Sequence, residues 1–147
     1  MKKTIMLSLI LCVLSSGRAV GSQMIGVQLY DFVGVSWLDL DGLEGYQVDF
    51  GWAFDQKTIH VVGAGYKMYV FPRKVMIGDF PLDGFAGYGA KVTTSSNFLT
   101  EIRTPAGFIY RIPKASLHIA LGLSPVLGIY PSTWFGVSGL LAIRYHL

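Results

Sequence analysis

Few residues of this chain are equipped for chemistry, and most of those are charged. Glu101 and Arg103 stand two apart, which on a strand puts both side chains on one face. Asp49, Lys67, Lys91, Arg111 and Arg144 occupy the polar positions of other alternating segments. Turned into a narrow enclosure, such groups must pair and hydrogen-bond, because isolated buried charge is very costly. They would make a structural plug of ion pairs, or line a narrow path for an ion or small solute. Ser116 and His118 also share a strand face and are the one pair of nucleophile and base type. A hydrolase needs a carboxylate to orient the imidazole, and none occurs between Ala115 and Leu127. By phase the pair faces inward with the polar set. Three scattered histidines, with one cysteine near the N-terminus, make no metal site. Gly84, Gly87 and Gly89 precede no helical pattern and form no phosphate loop. No catalytic set, metal or cofactor is expected.

What orients these side chains is strand phase, and the last segment reads most clearly. Phe135, Val137, Leu141, Ile143, Tyr145 and Leu147 alternate with Gly136, Ser138, Ala142, Arg144 and His146, Leu140 being the apolar exception. Period-two alternation separates the two sets onto opposite faces. An apolar outer face kept up to the last residue, over a small or polar inner one, is how outer-membrane β-barrels finish.

The N-terminus gives the same address. Met1-Lys2-Lys3 is a charged start, residues 4–16 are apolar, and Ala19-Val20-Gly21 supplies small residues for cleavage before Ser22. Residues 1–21 are therefore expected to be a signal peptide and 22–147 one barrel domain. The apolar run is too short for a spanning helix, which needs about 20 residues. The formal charge of +3 comes from Lys2, Lys3 and Arg18; the rest carries nine basic and nine acidic residues, a balance that gives no support for nucleic-acid binding. Hydrophobicity after residue 21 is spread over short alternating segments, the barrel solution to crossing a bilayer.

Eight strands are expected. Residues 24–31 and 33–40 form a weak first pair. Residues 44–54 alternate Tyr46, Val48, Phe50, Trp52 and Phe54 against Gln47, Asp49, Gly51 and Ala53. After a tight connection at Asp55-Gln56-Lys57, a strand spans 58–71 and a longer loop runs from Pro72 to Pro81. Residues 82–92 turn Phe85, Gly87, Gly89 and Lys91 one way and Ala86, Tyr88, Ala90 and Val92 the other. Residues 93–97 are a polar loop, 98–112 and 115–127 a hairpin, and 135–147 the last strand. Trp37, Trp52, Trp134, Tyr46 and Tyr145 are expected in the aromatic girdles. The interior of eight strands is just wide enough for side chains to fill it.

The order of features resembles a family of small bacterial outer-membrane barrels of unassigned function. Phe50-Gly51-Trp52, the run Ile102-Arg103-Thr104-Pro105-Ala106-Gly107, Leu121-Gly122-Leu123-Ser124-Pro125 and Leu141-Ala142-Ile143-Arg144-Tyr145 carry the resemblance. It implies an all-β fold, an eight-stranded antiparallel transmembrane barrel in the outer membrane, and no reaction. The partners it implies are membrane lipid or lipopolysaccharide and, through the last strand, the barrel-assembly machinery. Lipid A deacylases and acyltransferases are similar in size and fold class. The deacylases, however, carry histidine before serine, the reverse of Ser116 and His118.

Overall fold

Period-two alternation sets the described chain as sheet. The computed structural model describes residues 21–54, 58–94 and 98–147. Among them are nine strands and no helix: β1 (Ser22–Leu29), β2 (Val33–Asp41), β3 (Glu44–Phe54), β4 (Ile59–Ile77), β5 (Phe80–Thr93), β6 (Leu99–Arg103), β7 (Ala106–Ile112), β8 (Leu117–Tyr130) and β9 (Trp134–His146). The expected signal segment, apart from Gly21, lies outside the described residues. So do the connection 55–57 and residues 95–97.

β6 and β7 share the same neighbours, β5 and β8, and act as one strand broken at Thr104-Pro105. Proline has no N–H for the ladder. Its carbonyl still accepts from Gly87 N at 2.8 Å, while Thr104 N donates to the Pro125 carbonyl at 3.1 Å. With this pair counted once, eight antiparallel strands form a closed ring, each bonded to two neighbours, and β9 returns to β1 from Met24↔His146 to Leu29↔Leu141. From Leu29 the ladder leads one way through Val33 and Trp52 to Val61. The other way it passes Leu141, Leu121, Phe108 and Gly84 to reach β4 at Phe71, ten residues further along. Such an offset requires strands tilted by about 40° to the axis.

One end of the ring carries the described terminal residues with the turns at Gly42-Leu43, Gly78-Asp79 and residues 113–116; the other carries the turns at 30–32 and 131–133. Pro72 to Pro81 is not a loop. β4 continues to Ile77 and β5 begins at Phe80, with Gly78 at φ 61° in the turn and an irregularity between Phe71 and Val75 that absorbs Pro72. Proline is tolerated in sheet at such irregularities and at strand starts.

The two faces differ as the alternation requires. Val27, Val35, Val48, Leu121, Leu123, Val137 and Ile143 are exposed on the outside. Met24, Leu38, Leu40, Met68, Val70, Phe85 and Ile109 form a buried apolar cluster inside, toward the end with the terminal residues. Trp134 departs from its expected place: it has the inward phase, and its indole lies against Gly128 and Gly136 at the opposite end.

Ring closure crowds the inner face. A Cβ on Gly51 would sit 2.2 Å from the Val33 carbonyl oxygen and 2.6 Å from Gly34 Cα, whereas one on outward Gly63 would meet none of the described residues within 4 Å. Gly51→Ala should therefore destabilise by about 1–3 kcal/mol, as overpacking does. Gly63→Ala should be neutral to mildly stabilising, since alanine loses less backbone entropy than glycine on folding. Urea unfolding midpoints of the two variants check the contrast.

Candidate functional site

Inside the ring two polar clusters lie above the apolar one. In the first, Lys91 and Glu101 are direct partners across β5 and β6. Glu101 Oε2 accepts from Lys91 Nζ at 3.0 Å and from Arg103 Nε and Nη2 at 3.0 and 2.8 Å. A second carboxylate comes from outside the strands. Asp31, in the turn between β1 and β2, places Oδ2 2.6 Å from Lys91 Nζ and 2.7 Å from Arg103 Nη2. Lys91, Glu101 and Arg103 are almost fully buried, while Asp31 keeps 42% of its side chain exposed. The flanking residues follow Asp31 inward. Phe32 is 2% exposed with its ring 5.6 Å from Lys91 Nζ, and the Tyr30 ring stacks on Phe32 and lies 5.5 Å from Arg103 Cζ. The turn is thus folded into the mouth of the ring and tied there by one carboxylate.

The second cluster joins Arg144 to Asp49 through an amide. Arg144 Nη2 donates to Gln47 Oε1 at 2.9 Å, Gln47 Nε2 donates to both Asp49 oxygens at 2.9 and 3.0 Å, and Arg144 Nε donates to Ser36 Oγ at 3.2 Å. Gln47 also reaches Gln28 Oε1 at 3.3 Å. Lys91, Arg103 and Arg144 are matched in number by Asp31, Asp49 and Glu101, so these two clusters carry no net charge. Charge-assisted hydrogen bonds of this length are the strong kind, and they offset the desolvation that burial imposes.

The structure brings together Asp49, Lys91, Glu101, Arg103 and Arg144 in the interior. Arg111 lies at the end with the terminal residues, bonded through Nε to Asp83. Lys67 is a correction, because it sits on the outer face. Across β3 it opposes Tyr46, pairs with Glu44 at 3.2 Å, and lies over the Tyr46 and Tyr69 rings at 4.6 and 5.7 Å. Outward Gly63 and Gly65 leave β4 without the run of large apolar residues that marks an outer face, so its phase was easily inverted. Ser116 is a second correction: it lies in the turn before β8, at φ 50°, exposed and outside any strand, so it shares no strand face with His118. His118 is half-buried, with its ring 6.2 Å from that of His146, which shares a 2.8 Å hydrogen bond with Ser22 Oγ.

Sequence reasoning missed Asp31, Gln28 and the inward turn, and placed Gln47 on the face of Asp49 without giving it a role. An acid between two aromatics at a strand connection, Tyr30-Asp31-Phe32, was the available signal. No protein-family model, curated protein or solved structure matches this chain.

Two tests follow from this geometry. Glu101→Ala would leave Lys91 and Arg103 sharing only the peripheral Asp31, and should cost about 3–5 kcal/mol of stability by urea unfolding. Burial alone would raise the pKa of Asp31, but the hydrogen bonds and charges of Arg103 and Lys91 outweigh it and hold the carboxyl below its ordinary value. A depressed folded-state pKa stabilises above the unfolded value, about 3.9, and that stability is lost as pH falls through the lower folded value. Asp31→Asn should therefore be less stable than the parent near neutral pH, and the difference should shrink as the pH is taken below 3.9 toward about 2.

Proposed function

We propose that this protein is a small outer-membrane β-barrel with a side-chain-filled interior and a structural or interaction role, carrying out no reaction of its own. The observation that carries the reading is the outer face of the closed ring. Ile25, Val27 and Leu29 of β1, Val33 and Val35 of β2, and Leu121, Leu123 and Leu127 of β8 adjoin Phe135, Val137, Leu141 and Ile143 of β9, all exposed. Exposed apolar residues contiguous across four neighbouring strands are unlike the singly scattered ones normal on a water-facing surface. It fits a hydrocarbon environment in which every backbone group must be bonded internally, as a closed ring allows. Trp52, Tyr46 and Tyr145 on the same face fit interfacial positions. The charged N-terminal residues, the apolar run and the small residues before Ser22 support export.

A filled lumen favours the structural role over conduction. Met24, Leu38, Leu40, Met68, Val70 and Phe85 occupy the end near the terminal residues, and the Tyr30–Phe32 turn narrows the other. Lipid and lipopolysaccharide are the proposed surroundings, and the last strand is the proposed segment read by the assembly machinery.

The protein should fractionate with outer membranes after removal of residues 1–21 and should migrate differently on gels before and after boiling. In reconstituted bilayers Ile143→Arg should cost about 2–4 kcal/mol near the midplane, while Ala142→Ser, one residue away and inward, should be tolerated. A soluble periplasmic product, or equal effects of the two substitutions, would contradict the placement.

A further inference from the structure

The mouth opposite the terminal residues holds a cavity of about 320 Å³ that the salt-bridge plug does not explain. Tyr30, Asp31, Arg103, Trp134 and Ser138 are among its lining residues. Arg103 is 1% exposed and spends Nε and Nη2 on Glu101 and Asp31, yet its Nη1 is a buried donor with no partner among the described residues. A guanidinium edge buried in this way calls for an acceptor oxygen. Asp31, on the rim of the same cavity and still partly exposed, is an acceptor for hydroxyl donors. Trp134 supplies an apolar plane. Its indole occupies the space that any side chain at 128 would need, Nε1 lying 2.0 Å from where a Cβ would be, and its ring crowds position 136 in the same way. Glycine at both positions makes a bed for that ring.

The chemistry of a ligand that answers all three features is narrow. It must offer an oxygen acceptor to Arg103, a hydroxyl donor to Asp31 and an apolar face to Trp134. An anion is disfavoured, since Asp31 on the rim would repel it and the cluster has no cationic excess, and a cation is disfavoured by Lys91 and Arg103, which already share that carboxylate. We infer that this mouth binds a neutral sugar ring, free or as the terminal residue of a surface glycan. Size agrees, because small-molecule sites begin at about 300 Å³. The far side of the interior is closed by the apolar cluster, so the site is a blind cup and not a passage.

Saturation-transfer NMR on the full mature protein in detergent micelles tests this, with circular dichroism establishing that each variant keeps its strands. The probes are glucose, N-acetylglucosamine, lipid-free core oligosaccharide and inorganic phosphate. Saturable binding of a neutral sugar is expected. Trp134→Leu should weaken it about tenfold, the scale of a lost aromatic contact, and Trp134→Phe should retain most of it. Saturation by glucose or N-acetylglucosamine would identify a free-sugar site, and saturation by the oligosaccharide alone a glycan-end site. No saturable sugar, tighter binding of phosphate than of any sugar, or unaltered binding by folded Trp134→Leu would overturn the inference. None of these outcomes bears on membrane placement, which fractionation tests separately.

Discussion

The structure depends on one constraint, that the first strand must pair with the last. β1 has β2 on one side, and only β9 gives it a partner on the other. An open sheet would leave two edges of unpaired N–H and C=O groups, a liability in water and prohibitive in hydrocarbon. Closure with eight strands and a ten-residue offset sets the radius, and the radius decides what can face inward. Glycine recurs on the inner face because neighbouring backbone already occupies the position of a Cβ, as at Gly34 and Gly51. The outer face carries no such restriction and holds the large apolar residues.

The narrow interior then forces its charges into contact. Lys91 and Arg103 come from different strands, and Glu101 lies between them because β5 and β6 pair in register. Asp31 completes the set from a turn, so the sheet interior and the fold of its mouth are coupled through one carboxylate. Arg144 is handled differently: Gln47 passes its hydrogen bond on to Asp49 without a direct ion pair. An amide bridge of this kind connects the two charges over a distance that their side chains do not span. The result is a layered interior, apolar near the terminal residues, polar in the middle and ionic beneath the Tyr30–Phe32 turn.

Much of this was legible in residue order, and the exceptions have physical causes. Where large apolar residues alternate with small or polar ones, as in β3, β5 and β9, phase is readable and Asp49, Lys91 and Arg144 fall inward as expected. Glu101 and Arg103 were readable as a pair because a spacing of two fixes a shared face. Lys67 was misread because its strand carries outward glycines, and because a lysine among tyrosines satisfies an outer face as well as an inner one. Trp134 was misread because girdle composition says nothing of phase at a strand end. The strand break at Pro105 and the long hairpin across Pro72 depend on local hydrogen-bond accounting that alternation does not encode. Asp31 was invisible for a further reason, that no spacing rule relates a turn residue to strands sixty positions away.

The proposed membrane placement requires that the two faces of the ring meet different media, lipid outside and a packed polar interior within. Nitroxide labels placed singly from Gly139 to Tyr145 in the reconstituted protein measure this directly. Collision with oxygen, which partitions into lipid, should be high at 139, 141, 143 and 145 and low at 140, 142 and 144. Uniform accessibility, or an aqueous relaxation agent reaching the odd positions, would contradict it.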